Sequence, residues 1–267
     1  MKDPVSRTGS ARPAEPDPDF MLSLARGLAV MRAFGSGSLS IAEGARLTGL
    51  SRAAVRRCLH TLAVLGYVEG GGGRYRLRPR VLSLGYAYLH SDVVPRAAQP
   101  VLELLAEGLN ESCSLSVLDG DEIVYVARVA THRIVSVGLS VGSRLPAYCS
   151  CMGRVLLAFS GDAERSAYLK RAKLARHTRH TIVRRAALRA ELARVRKAGY
   201  ALVDQELELG LRSLAVPVRR PGGPVVAAMS VGVQAARVEN EAMVHHYLPA
   251  LRAAAEEVGL AIGHARL

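Results

Sequence analysis

Apolar residues recur at helical intervals early in the chain and then switch to a period of two, and the switch divides it into two kinds of structure. Leu24, Leu28, Met31 and Phe34 stand three or four apart and stop at the GSGS of 35–38, predicting a first helix from Ser23 with a loop behind it. Ser40, with Glu43 three residues on, predicts a capping box and a second helix that ends at Gly49. Ser51 caps a third, whose apolar face is Val55, Leu59 and Leu62; at 100 degrees per residue Ala53, Arg56, Arg57 and His60 fall on the opposite side. Tyr67 and Val68 then begin a short strand. The glycines of 70–73 make a loop free to take positive φ, and Tyr75 and Leu77 alternate with Arg74, Arg76 and Arg78 on the returning strand.

Residues 80–91 read as a connecting helix with an unusually broad apolar surface of Val81, Leu82, Leu84, Tyr88 and Leu89, more than one neighbour would cover, so a dimer contact is expected there. Leu102, Leu105 and Leu109 mark another amphipathic helix. The period then shortens: LSVLDGDEIVYVARV is two strands about an Asp-Gly turn. Strands also fit 133–141, 213–219 and 225–233, with helices near 151–159, 162–170, 186–198 and 240–262. The expected fold class is α+β, an antiparallel sheet flanked by helices behind a helical N-terminal domain. The expected divisions are a disordered tail at 1–19, a first domain at 20–79, the linker helix at 80–91 and a second domain at 92–267.

Two domains also suit a length of 267 residues. With 49% hydrophobic residues, no tryptophan and three phenylalanines, the cores must be built from leucine, valine and alanine. A net charge of +13 favours an anionic partner, nucleic acid ahead of an anionic membrane surface. The N-terminal stretch lacks the apolar region of a secretory signal, and no apolar run approaches the roughly 18 residues of a membrane span, so a cytoplasmic protein without membrane association is expected. Cys58, Cys113, Cys149 and Cys151 form no CxxC pair, which suits buried thiols in a reducing compartment.

Within the second and third helices, Ala45, Gly49 and Val55 have the spacing of a helix-turn-helix: a small residue where the helices touch, a glycine at the turn and a branched anchor. Joined to the basic hairpin they make a winged helix-turn-helix. Its DNA-facing candidates are Ser51, Arg52, Ala53, Arg56, Arg57 and His60 on the third helix, with Arg74 and Arg76 on the wing. Arginine forks onto guanine O6 and N7, and wing arginines reach phosphate or the minor groove. Any one of these arginines also fits an ordinary solvated face. Two such modules, their recognition helices about 34–36 Å apart, would be needed to read one operator.

The chain resembles the IclR family of bacterial transcription regulators from about Phe20 to about Gly263. The resemblance is carried by SLARGLAVMRAF, AAVRRCLHTLAVLGYVE, YRLRPRVLSLGYAYL, DGDEIVYVARV, VGSRLPAYCSCMGRVLLA, LRAELARVRKAGYALVDQE, GLRSLAVPV and AAMSVGV. Several stretches look like the branch governing catabolism of protocatechuate, 4-hydroxybenzoate and β-ketoadipate. Membership implies a winged helix, a linker helix and a GAF-like effector domain, assembled as a homodimer or dimer of dimers on double-stranded operator DNA, with a small aromatic or ring-derived carboxylic acid as effector. It also implies a pocket near SRLPAYCSCMGR with Cys151, Met152, Asp204, Ser213 and Ser230 as candidates. Side chains suited to a carboxylate add Arg133, Arg144, Tyr148 and Ser150.

Rival readings are a metal- or thiol-sensing winged-helix regulator using Cys149, Cys151, His177 and His180, and an enzyme using Ser114, Asp121 and His132. The first lacks a recognisable ligand spacing and the second a G-x-S-x-G elbow. No catalytic residue, metal or cofactor is expected, and the 70–73 glycines lack the Lys-Ser/Thr of a P-loop. Residues 164–197 hold twelve Lys or Arg against Glu164 and Glu191. They are either a solvated helical face or a supplementary contact to phosphate.

Overall fold

The computed structural model describes residues 17–35, 37–131 and 138–264, and the chain divides into two compact units, Met1–Ala87 and Tyr88–Leu267. In the first, α1 (Leu22–Arg32), α2 (Ile41–Thr48) and α3 (Arg52–Val64) precede a hairpin of β2 (Val68–Gly71) and β3 (Arg74–Leu77). The capping box forms: Ser40 N–H donates to Glu43 Oε2 at 2.8 Å and Glu43 N–H to Ser40 Oγ at 3.2 Å. Gly49 ends α2 at φ 70°, where a side chain would be strained. Val55, Leu59 and Leu62 are buried with Val30, Phe34, Leu39 and Val68, the expected face of α3.

Two details depart from expectation. Ala45 packs against the core that holds α3, but the tightest approach of the two helices is at its neighbour Gly44: a Cβ there would lie 2.9 Å from Val55 Cγ1. A short strand β1 (Leu39–Ser40), too brief to register as a period, pairs with β3 and gives the sheet order β1-β3-β2. The wing turns at Gly72 and Gly73, both at positive φ as a two-residue type I′ turn requires.

Residues 80–91 form a 3-10 turn (Pro79–Val81) and α4 (Leu82–Ser91), which buries no residue. The second unit begins with α5 (Val93–Leu109), longer toward its N-terminus than its leucine spacing indicates because Pro95 falls in the first turn, where no N–H is needed. Then follow β4 (Ser112–Asp119), β5 (Glu122–Val129), β6 (Arg144–Pro146), α6 (Cys151–Phe159), α7 (Asp162–Arg171), α8 (Arg185–Ala198), β7 (Ala201–Asp204), β8 (Leu211–Arg219) and β9 (Val225–Gln234). The C-terminal helix of 240–262 is interrupted: α9 (Asn240–Ala242) and α10 (Leu248–His264) flank a π-helical turn, Met243–Tyr247. Of the strand expected at 133–141, residues 133–137 lie outside the described residues and 138–141 carry no strand.

The sheet is antiparallel, in the order β6-β5-β4-β9-β8-β7. Its pleat separates two cores. Leu115, Leu214, Val216, Met229 and Val231 face α5 and α10, whereas Ile123, Val203, Ala215 and Ala228 face α6 and α8. No helix among the described residues is long and apolar enough to cross a membrane.

Candidate nucleic-acid interface and ligand cavity

Three buried anchors hold α3 in place and leave its other side to solvent. Ser51 Oγ accepts the Ala54 N–H at 3.2 Å, and Ser51, Arg52, Ala53, Arg56, Arg57 and His60 are all exposed. The four positions that periodicity sets opposite the buried anchors, Ala53, Arg56, Arg57 and His60, are therefore open to solvent, as are the cap Ser51 and Arg52 at the helix start. On the wing, Arg76 is exposed opposite Glu69, but Arg74 is engaged within the domain. Its Nε donates to Ser38 Oγ at 2.7 Å and its Nη2 lies 3.2 Å from Glu43 Oε2. The Ser40 hydrogen bonds, and then Arg74, hold the Glu43 carboxyl below the usual carboxylate range. Arg74, whose side chain stays half exposed, thus also ties the wing to the capping box of α2.

In the second unit a cavity of about 400 Å³ lies between the sheet and the N-terminus of α6. Across three strands, Arg128, Ser114 and Ser230 stand side by side, and Arg128 Nη1 donates to Ser114 Oγ at 2.9 Å. In the next row on the same face, Ser112 and Ser213 flank Gly232 and add two more hydroxyls. Tyr125, Leu145, Met152 and Val203 supply apolar walls. The turn into α6 brings in Ser150, whose Oγ accepts the Gly153 N–H at 3.2 Å, followed by Cys151. Gly153 is required there: a Cβ would sit 2.3 Å from the carbonyl oxygen of Ala147.

Of the nine effector candidates, Ser150, Cys151, Met152, Ser213 and Ser230 line this cavity. Arg133 lies outside the described residues. Arg144 and Asp204 fall one residue from the cavity-lining Leu145 and Val203 and so belong to the other face of the pleat. Arg144 binds Asp119 and Glu122, each at 2.7 Å, and these bonds, led by Glu122, hold its guanidinium above its ordinary pKa. Asp204 meets Arg212 at 3.0 Å; burial opposes its charge, but hydrogen bonds from Arg212 and Gln205 keep its carboxyl low. Tyr148 points away, its OH donating to the Ala175 carbonyl at 2.6 Å. Lining residues not singled out for this cavity include Arg128, Ser114, Ser112, Tyr125, Glu206 and Glu208. Their trace in the sequence is SCSLS at 112–116, a strand whose one face is serine. Glu206 is buried and bound by Arg154 at 2.6 Å and by the Ile182 N–H at 2.9 Å.

The rival constellations are dispersed. Burial pushes the Cys149 and Cys151 thiols up to about 11, so both are neutral at physiological pH and poorly nucleophilic. His177 stacks on Tyr148, and His180 accepts a hydrogen bond from Arg179. Among the described residues no three His, Cys, Asp or Glu side chains are grouped to hold a metal. Ser114 serves Arg128, Asp121 pairs with Arg171 at 2.8 Å, and His132 lies outside the described residues.

Residues 23–71 match the IclR helix-turn-helix domain, and residues 86–260 match the bacterial transcriptional regulator IclR C-terminal domain. The chain belongs to the IclR family. It is 48% identical over 245 residues to the Pca regulon regulatory protein of Pseudomonas putida, covering 91% of this chain and 84% of that one. It is 36% identical over 247 residues to the p-hydroxybenzoate hydroxylase transcriptional activator of Acinetobacter baylyi, covering 90% and 91%. Among solved structures, it is similar to an IclR homolog from Microbacterium hydrocarbonoxydans complexed with 4-hydroxybenzoate, with TM-score 0.77, 26% identity and coverage of 91% and 100%. These relatives are regulators rather than enzymes. The exposed face of α3 accordingly belongs to the DNA-binding domain of an IclR regulator, and the cavity to its C-terminal domain.

Proposed function

We propose that this IclR regulator binds a pseudo-palindromic operator through paired α3 helices and senses a small aromatic or ring-derived carboxylic acid in the cavity beside α6. One observation carries the assignment of the acid: Arg128, Ser114 and Ser230 adjoin on one wall while Tyr125, Leu145, Met152 and Val203 supply the others. A guanidinium and hydroxyls suit a carboxylate, and an apolar slot suits a ring. Cavities of this size, within the roughly 300–1,000 Å³ of small-molecule sites, hold a single-ring acid. The similarity to a 4-hydroxybenzoate complex, and to relatives named for the Pca regulon and for p-hydroxybenzoate hydroxylase, supports the same class of ligand.

Pairing runs through the exposed apolar side chains of α4, and an acid that binds one arrangement of the pairs more tightly than another shifts the population between them. Action at an operator places the protein in the cytoplasm. The test is thermal shift with 4-hydroxybenzoate, protocatechuate and β-ketoadipate, alongside gel shifts on DNA flanking its gene. One acid is expected to raise Tm and alter the gel shift. Arg56→Glu with Arg57→Glu is expected to abolish the gel shift and keep the thermal response. A protein that none of the three acids stabilises overturns the effector class.

A further inference from the structure

The twelve cations of 164–197 are not spread evenly over a solvated helix. Arg165, Arg171, Arg194 and Arg196 reach carboxylates; the other eight, among them Lys173, Arg176, Arg179, Arg184 and Arg189, have no carboxylate partner among the described residues. At 3.6 residues per turn, Arg185, Arg189 and Arg196 share one stripe of α8. Arg185 donates to the Leu169 carbonyl at the C-terminal end of α7, while Arg196 reaches Asp162 at its start, so this stripe runs antiparallel along α7.

The loop between these helices is fixed, although it carries no helix or strand. Thr178 Oγ1 donates to the Gln205 carbonyl and Thr181 Oγ1 to the Glu206 carbonyl, each at 2.6 Å, and the Ile182 N–H to Glu206 Oε2. Tyr148 holds Ala175 from another side. Lys173, Arg176, Arg179 and Arg184 therefore leave a backbone that is already ordered, which lowers the entropy lost when they bind.

We infer that the loop cations Lys173, Arg176, Arg179 and Arg184, with Arg189 beside the α7-bound Arg185 and Arg196, form a second DNA surface, one that contacts phosphate from the C-terminal domain and carries no base specificity. The chemistry selects a polyanion over a protein partner. A docking surface for protein needs apolar or aromatic anchors, yet none of the large exposed apolar side chains of the molecule falls between Val141 and Leu209. Arginines without carboxylate partners, on a fixed frame, suit phosphates spaced along a duplex.

The experiment compares full-length protein with two double variants of equal charge loss, Arg184→Gln with Arg189→Gln on the proposed surface and Arg96→Gln with Arg220→Gln elsewhere on the same unit. Binding to a mixed-sequence duplex of about eight helical turns is followed by fluorescence anisotropy between about 50 and 200 mM salt. Each phosphate contact removed is expected to lower the slope of log Kd against log salt by about 0.9, so the first variant loses about 1 to 2 and the second less than about 0.5. Equal slopes in the two variants, whether both altered or both intact, overturn the proposal. Retention on immobilised polyglutamate is measured for the same proteins; its loss in the first variant with unchanged DNA slopes overturns the proposal in favour of an acidic protein partner. Arg56→Gln with Arg57→Gln, measured in parallel, reports on the winged helix alone and so distinguishes failure of that domain from failure of this surface.

Discussion

Arg128 brings a guanidinium to a cavity lined by hydroxyls, hydrocarbon, two thiols and the carboxylates of Glu206, itself bound by Arg154, and Glu208; replacing it is expected to separate recognition of the carboxylate from recognition of the ring. Arg128→Leu removes the donors and keeps most of the apolar stem. A charge-assisted hydrogen bond contributes about 1.5–3 kcal/mol, so 4-hydroxybenzoate is expected to bind about ten- to a hundredfold more weakly by titration calorimetry. Ser230→Ala removes a neutral bond of about 0.5–1.5 kcal/mol and costs about two- to tenfold. Unchanged affinity in Arg128→Leu would remove this side chain from the site. The sequence could not have located it. Tyr125 and Arg128 are three residues apart, which in an unbroken strand puts them on opposite faces; the irregular register between Leu115 and Ser116 lets both line the cavity. Arg144 and Asp204 show the reverse problem: residues of suitable chemistry, close in the chain to cavity residues, turned away by the pleat. Cys151 and Met152 come from the family resemblance and Ser150 from its hydroxyl; the structure puts all three at the cavity through a helix start that Ser150 caps, a placement that does not depend on strand parity.

The turn from the Ala147–Cys149 3-10 segment into α6 depends on one missing side chain. A Cβ at Gly153 would meet Ala147 O at 2.3 Å and Ala147 Cα at 2.4 Å, both backbone atoms that no rotamer change can move. Gly153→Ala is expected to destabilise the protein by about 1–3 kcal/mol, lowering Tm by about 2–12 °C, and to weaken the response to acid, since Ser150, Cys151 and Met152 shift with the turn. Gly161→Ala, where the added atom meets nothing within 4 Å, is expected to stay within about 0.5 kcal/mol by the same thermal measurement. Comparable losses in both variants would show that the crowding at Gly153 relaxes freely. Long, strongly periodic elements were readable at this scale: α1 to α3, the wing and the β4–β5 hairpin follow from spacing, caps and turns. β1, β6 and β7 span two to four residues, too short for a period of two to stand out, and only pairing with a neighbour identifies them.

For the whole molecule, α4 carries the consequence of greatest reach. Leu82, Leu84, Tyr86 and Tyr88 are 73%, 53%, 60% and 43% exposed on a ten-residue helix that buries nothing. Apolar surface of that extent on one short element suits a contact surface, and in the proposed pairing a second copy of the chain would cover it with the same residues about a two-fold axis. The pairing also determines affinity. One winged helix contributes a handful of base contacts, whereas linking two makes the second binding event intramolecular and gains about 10²–10⁴ in avidity. Leu82→Glu with Leu84→Glu sets like charges against each other across that axis and is expected to halve the sedimenting mass. Operator affinity should fall by about the same 10²–10⁴. The thermal response to the acid should persist, because the cavity is built wholly within the second unit. Retention of the parental mass would assign the pairing to another surface, and a lower mass with undiminished operator affinity would mean that one α3 suffices, which the small number of bases a single recognition helix can reach makes physically difficult.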